Sequence, residues 1–583
     1  MKNVLKCLKK IDWLFVVLAI GLIVVQVWLD LKMPDYTAKL STAAASGGVT
    51  MKDVWANGGM MLLCAFGSLA SAILCSFLLS RVSSSISKQL KEKMFGKISS
   101  FSSAEMKKFS TPSLITRTTN DVSQIQMFVA MGLQFLIKAP VLAIWAICKI
   151  SSTSVEWTVA TFICVAIIVI CVGLIVGLCI SKFKKAQKLV DNLNNATREN
   201  VSGVRVVRAF NAEEYQEKKF EKANYELTKN HLYTSKVTGI MSPVMTICMN
   251  GLTLAIYWIG AYLVNKAPII EREIVIGNMT AFTQYALQVV MAFMMLIMIF
   301  IILPRAIVSM KRINEVLNTE LSMKNGFGGQ NQNDVKGKVE FKDVSFSYFD
   351  GTDDAISNIS FVANQGETVA LIGATGCGKT TIIDLIPRFN DVTSGEILVD
   401  DVNVKDYDFE QLQDKIAVVS QKAILFKGDI KENITYGSKE QITDEDPRIQ
   451  KALEIASADF VNKLEKGIHS EVAQGGTNFS GGQKQRLSIA RAIFKDSEII
   501  IFDDSFSALD YKTDKQVREN IKKELGDKTI LIVAQRIGTI RNADKILVID
   551  EGKIVGEGTH DYLIENCELY KEIALSQLSE EEL

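Results

Sequence analysis

The sequence predicts a six-helix membrane bundle fused to an α/β domain built round a glycine-rich loop. Three observations carry this: six long apolar segments confined to the first 320 residues, an opposite charge balance in the two parts, and a strand–glycine loop–helix pattern near residue 373. At 583 residues the chain exceeds what one hydrophobic core supports. With 48% apolar and 22% charged residues it is neither disordered nor composed like an ordinary soluble enzyme. Residues 1–320 carry 34 Lys+Arg against 19 Asp+Glu, or +15, and the remainder carries 31 against 46, or −15. An apolar basic part followed by an acidic one excludes a nucleic-acid binder and fits a membrane domain joined to a cytosolic one. The expected divisions are 1–320 (membrane), 321–335 (linker) and 336–583 (α/β).

Crossing the hydrocarbon takes about 20 apolar residues. The segments Trp13–Leu29, Met60–Leu79, Met127–Cys148, Trp157–Ile180, Val237–Val264 and Met279–Leu303 come close to that. The first follows Lys2, Lys6, Lys9 and Lys10 as a signal peptide would. No small-residue cleavage site succeeds it and a second span comes soon after, so it reads as a retained helix. Lys and Arg concentrate at the N-terminus, in Arg81–Gln126 and in Lys182–Lys236, which places both termini in the cytosol of a multi-pass protein of the cell membrane. Those two stretches, about 45 and 55 residues, are too long for tight connections and read as helices continuing out of the bilayer to a turn. Lys138 falls near mid-membrane, where it either snorkels or pairs internally, or faces a wet substrate cavity. The methionines 291, 294, 295 and 298 suit helix packing more than ligand binding.

Most of the ten cysteines (Cys64, Cys75, Cys148, Cys164, Cys171, Cys179, Cys248 among them) lie singly in apolar stretches, and the only histidines are His231, His469 and His560. Neither a disulfide framework nor a zinc site is expected.

Beyond the Gly- and Asn-rich stretch 321–334, short β-branched runs at Val339–Phe346, Thr368–Ile372, Ile416–Val419, Ile499–Phe502, Thr529–Val533 and Lys545–Ile549 alternate with helices, an α/β pattern. Thr368–Ile372 runs into Gly373, Ala374, Thr375, Gly376, Cys377, Gly378, Lys379 and Thr380, then a helix from Thr381. This is a phosphate loop in its required context: backbone N–H groups close round phosphate oxygens and the helix N-terminus adds positive potential. Lys379 is placed to reach the β and γ phosphates of ATP, and the Thr380 hydroxyl to ligate Mg2+. Cys377, inside the anion-binding nest, is expected to react with maleimide and to be protected by ATP. Glu498–Asp504 is an apolar strand ending in two carboxylates, Asp503 suited to hold Mg2+ and Asp504 to polarise an attacking water.

Asn478–Arg486 (NFSGGQKQR) resembles the signature sequence of ABC transporters, and Ser507, Ala508, Leu509 and Asp510 (SALD) resemble their D-loop. Gln421 is similar to the Q-loop glutamine, a further Mg2+ ligand, and Tyr348 to the aromatic that stacks on adenine. SLITRTTNDV (113–122), RENVSGVRVVRAFNAEE (198–214) and KRINEVLN (311–318) are similar to cytoplasmic segments of ABC exporters. The resemblance implies an ATP-driven exporter of amphipathic or apolar cargo, whose cytoplasmic turns near Ser113–Asn120 and Ala209–Glu214 move when two nucleotide domains close on ATP. An ATP-gated channel or sensor and an importer of a metal chelate are the alternatives.

Family members that hydrolyse ATP well carry Glu where this chain has Asp504, and His where it has Gln535. Phe479, Ser480, Gly481, Gly482 and Gln483 keep the signature close to intact. The resemblance therefore implies the degenerate-site half of a heterodimeric bacterial exporter: slow hydrolysis at Asp504, Gln535 and Gln421, and a non-identical partner whose site this signature completes. Ser470–Gly476 resembles the loop that contacts the cytoplasmic turns, keeping Glu471 but not the usual later Glu-Arg pair.

Overall fold

The computed structural model describes residues 8–46, 50–151, 155–268, 271–328, 336–348 and 354–578. The expected linker 321–335 falls partly outside them. The chain divides into two compact units: 1–98 with 112–319, and 99–111 with 320–583.

The first unit is a helical bundle. Among the described residues six helices are long and apolar enough to cross a membrane: α1 (Lys10–Ala45), α2 (Met51–Ser99), then α4 (Thr111–Ser151), α5 (Val155–Ser202), α7 (Glu213–Lys266) and α8 (Arg272–Leu317), with α3 (Ser103–Phe109) and α6 (Val204–Ala209) short helices between them. The 49 residues of α2 amount to about 73 Å at the helical rise, more than twice the hydrocarbon thickness, so the helix runs well beyond the lipid. The first helix continues past Leu29, the end of its apolar segment, to Ala45. α4 is not regular: π-type turns at Arg117–Asp121 and Phe128–Gly132 interrupt it.

Charges inside the bundle are paired with one another. Lys138 Nζ lies 3.5 Å from Asp30 Oδ2, which settles the choice left by the sequence in favour of internal pairing. Asp30 also accepts from the Ser68 hydroxyl at 2.5 Å, and its carbonyl accepts from Gln288 Nε2 at 3.2 Å. Asp35 holds Lys149 at 2.9 Å and accepts a hydrogen bond from the Tyr285 hydroxyl. A cavity of about 620 Å³ opens beside this second group, lined by Lys32, Lys39, Thr42, Asn278 and Phe282 among others. Each hydrogen bond spares an ion that lipid would not solvate.

The turn expected at Ser113–Asn120 lies elsewhere. Those residues are within α4 of the bundle, whereas α3 clusters with the second unit. The reason is a helix start the charge pattern hid: Ser102 caps α3, its N–H donating to Glu105 Oε2 at 2.7 Å, while the other Glu105 oxygen accepts from the Ser322 N–H at 2.8 Å. The second turn does fall near Ala209–Glu214, where Asn211 takes φ 49° between α6 and α7.

In the second unit a six-stranded sheet has the order β12-β11-β3-β10-β9-β6. Here β3 is Thr368–Ile372, β6 Ile416–Val419, β9 Ile499–Asp503, β10 Thr529–Val533, β11 Lys545–Asp550 and β12 Lys553–Gly558. β3 runs parallel to both β10 and β11, and β9 parallel to both β10 and β6. Alternate residues enter two separate cores: Ala370, Ile372, Ile500 and Phe502 on one face, Val369, Leu371, Ile499 and Ile501 on the other. Burial on both faces is why these strands read as continuous apolar runs. A smaller antiparallel sheet pairs β1 (Val339–Phe346) with β2 (Ile356–Ala363) and β4 (Ser394–Val399), with β5 (Val402–Asn403) at its edge. A two-residue ladder joins β7 (Gly428–Asp429) to β8 (Glu471–Val472).

Candidate functional site

β3 ends beneath the glycine loop, and the loop delivers the chain to the helix α9 (Lys379–Leu385). Two glycines are required by geometry. A side chain at Gly373 would overlap the Ile549 carbonyl, and Gly378, at φ 103°, would drive a Cβ to 2.7 Å from Ile356 Cγ2. Lys379 is 8% exposed, yet its ammonium is not idle: it donates to the carbonyls of Gly373 at 2.9 Å and Ala374 at 2.7 Å. These are weak, exchangeable acceptors for a cation, and a phosphate oxygen would displace them. Cys377 is buried at 7% exposure, with its sulfur 3.4 Å from Lys379 Nζ, packed under the loop.

At the tips of the neighbouring strands three polar groups meet. Thr380 donates to Asp503 Oδ1 at 3.1 Å, joining the loop to the end of β9. Asp503 is buried and its carboxyl is raised above the usual range, by desolvation and by Asp504, against the pull of the Thr380 hydrogen bond and Lys379. One turn along α9, Asp384 is pushed up to about 6, chiefly by burial, then by Asp503, with Lys107 opposing. A site this rich in negative charge, with a hydroxyl and a carboxylate already in register, suits a divalent cation; Thr380 and Asp503 would hold Mg2+.

Asp504 leaves β9 in the left-handed conformation, φ 45°. Its Oδ2 accepts from Gln535 Nε2 at 3.1 Å and lies 3.4 Å from Gln421 Nε2. Gln421 follows β6 and Gln535 follows β10, the two strands flanking β9. Two amides far apart in sequence therefore converge on one carboxylate oxygen. A cavity of about 560 Å³ borders this carboxylate, with Ser507, Gln535, Arg536 and Gln577 in its wall.

Tyr348 stands at the end of β1. Its hydroxyl is 3.0 Å from Thr381 Oγ1, and the Lys107 ammonium lies 4.2 Å from its ring centroid, within cation–π range. The signature residues form a second group. Ser480 caps the helix Gly481–Phe494 in a capping box: its N–H donates to Gln483 Oε1 at 2.9 Å and its hydroxyl accepts from the Gln483 N–H at 3.3 Å. Phe479 packs against Phe460, ring centroids 6.2 Å apart. Gly482 lies close enough to the D-loop that a Cβ there would sit 3.2 Å from the Ala508 carbonyl. Asp510 caps the following helix through Thr513 N–H at 3.0 Å, and Ser507 Oγ donates to the Asp504 carbonyl at 2.9 Å, linking the two groups. Glu471, whose carbonyl accepts from Asn478, belongs to the ladder with Gly428–Asp429. Sequence reasoning missed Lys107, Asp384 and Gln577. The capping box at Ser102 could have flagged the helix bearing Lys107; nothing local marks Gln577.

The family model "ABC transporter transmembrane region" matches residues 14–293, and the model "ABC transporter" matches residues 356–507. An uncharacterized ABC transporter ATP-binding protein of Mycobacterium tuberculosis is 37% identical over 89% of this chain and 87% of its own length. The uncharacterized ABC transporter ATP-binding protein YfiB of Bacillus subtilis is 34% identical over 97% of this chain and 96% of its own. Among solved structures, a bacterial Atm1-family ABC exporter with ATP bound shares the fold at TM-score 0.77 and 22% identity, over 97% of this chain and 98% of that one.

These findings correct the expectation of a heterodimeric, degenerate-site half with a non-identical partner. A solved structure that matches the whole chain in fold is an Atm1-family exporter, not the degenerate half of a heterodimer. Asp504 and Gln535, the two departures on which that expectation stands, are partners in one hydrogen bond in the fold.

Proposed function

The chain belongs to the ABC transporters, and from that premise we propose that it is one subunit of an ATP-driven exporter moving amphipathic or hydrophobic molecules out across the cell membrane. The phosphate loop binds the nucleotide, Lys379 exchanging its carbonyl contacts for phosphate oxygens and Tyr348 stacking on adenine. Thr380, Asp503 and Gln421 would hold Mg2+, which would supply charge neutralisation at the phosphates. Asp504 orients the attacking water, and Gln535 and Gln421 fix the direction of its carboxylate. The signature residues Phe479–Gln483 and the D-loop residues Ser507–Asp510 of a second copy complete the site. Charges in the spans that are spent on each other leave apolar helix faces for cargo, which favours amphipathic molecules over ions.

The observation that carries this reading is the convergence of Gln421 and Gln535 on Asp504, one residue beyond the Thr380–Asp503 pair. Its test is Asp504→Asn in the purified full-length transporter. ATP hydrolysis should fall on the order of 100-fold while ATP binding persists, since only the water-orienting charge is removed. Undiminished turnover overturns the assignment. In inverted vesicles the wild-type protein should accumulate cargo inside when ATP is added; depletion of preloaded cargo would mean import.

A further inference from the structure

The end of the chain reaches back to the hydrolytic centre. Just beyond the helix Glu568–Leu575, Gln577 Nε2 donates to the Gln535 carbonyl at 2.8 Å, and its Oε1 accepts from the Ile537 N–H at 2.9 Å. One side-chain amide thus grips the peptide groups on both sides of Arg536, 42 and 40 residues back along the chain. The Ile537 N–H opens the short helix Ile537–Ile540 and is among the amides a helix cannot satisfy internally. The pedestal is fixed: Tyr570 and Ala574 are fully buried, the Leu578 N–H bonds back to the Ala574 carbonyl at 2.9 Å, and Leu578 packs on the adjoining core. From the other end of the clamp, the Gln535 side chain continues to Asp504 Oδ2 at 3.1 Å.

We propose that Gln577 is a positioning residue for hydrolysis: it sets the backbone of the Gln535 loop so that the Gln535 amide stays directed at Asp504. The proposal rests on the reading of Asp504 and Gln535 as the hydrolytic centre. Only a primary amide suits the position, because it offers one donor and one acceptor on a single planar group. Glutamate would still accept from Ile537 but would face the Gln535 carbonyl with a second oxygen. Methionine keeps the length and offers neither bond.

The experiment is single-turnover ATP hydrolysis by the full-length transporter, which reads slow variants as well as fast ones. Gln577→Met should lower the rate about tenfold, the worth of roughly one net hydrogen bond, with ATP affinity within twofold of wild type. Gln577→Glu should fall between the two. In a Gln535→Ala background, Gln577→Met should have no further effect, because the group it positions is gone. An unchanged rate in Gln577→Met, or the same tenfold loss in the Gln535→Ala background, overturns the proposal; the latter outcome is that of a residue acting only on folding. Its failure is separable from failure of the hydrolytic reading. If Asp504→Asn is fully active the centre lies elsewhere, whereas if Asp504→Asn is impaired and Gln577→Met is not, only the clamp is wrong.

Discussion

The membrane spans and the nucleotide site treat their charges in opposite ways. In the bundle, Lys138 closes on Asp30, and Lys149 and Tyr285 close on Asp35. Each ion's partner is another side chain held by packing. In the nucleotide unit, Lys379 rests on two backbone carbonyls and Asp504 on two neutral amides, partners that leave the charge uncancelled. Lipid offers no solvent to a released ion, so a charge there must be matched permanently. A charge that has to meet a phosphate or a water must instead be held weakly. Polarity in the bundle therefore reports packing, and polarity at the strand tips reports chemistry.

Crossed substitutions test that contrast, and the largest effect belongs to the loop. Lys379→Met should weaken binding of a fluorescent ATP analogue by about 100-fold or more, the loss of its charge-assisted bonds to phosphate, while the melting temperature without nucleotide hardly moves. A large drop in thermal stability would show that Lys379 is spent on the fold, as Lys138 is.

Lys138→Met should do the reverse. It leaves Asp30 partly buried without its cation and should cost about 3 kcal/mol of stability, read as a lower melting temperature in detergent, with ATP affinity intact. Adding Asp30→Asn should restore most of the loss, because a neutral pair needs no counter-ion. If the double variant is no better than the single one, the pairing is incidental.

The legibility of the sequence divides along the same physical line. The six spans could be read because lipid enforces about 20 apolar residues each, and the phosphate loop because its spacing is set by phosphate size. The central strands were found because both faces are buried. The antiparallel strands Ile356–Ala363 and Ser394–Val399 were not, since their mixed apolar and exposed positions give no continuous run. The short helix Ser103–Phe109 was hidden in a charged stretch, although the Ser102–Glu105 spacing was visible. The burial of Cys377 was not legible, because sequence shows the nest but not what packs round the thiol. The Gln421–Asp504–Gln535 convergence brings residues from three strand ends together, and Gln577 comes from a fourth element. Such meetings are properties of sheet order, which no local pattern records.

The smallest effect lies on the surface of the nucleotide unit and carries a pH signature. His469 places Nδ1 3.1 Å from Asp429 Oδ2 and Nε2 3.3 Å from Asp444 Oδ2. The bond to Asp429 raises its pKa above the ordinary histidine value; desolvation opposes this, and Asp444 adds to the rise. Because the folded value is raised, the folded state binds the proton more tightly than the unfolded chain does. The stabilisation is then fully present below the unfolded value of about 6.5 and is lost as pH rises through the higher folded value. Asp429 also caps the helix Ile430–Ile434, so a charged His469 steadies a helix start next to the β7–β8 ladder. His469→Gln should lower the melting temperature slightly at pH 5.5 and not at pH 8.5. A difference that stays constant across that range would mean the imidazole acts through packing and not through its charge.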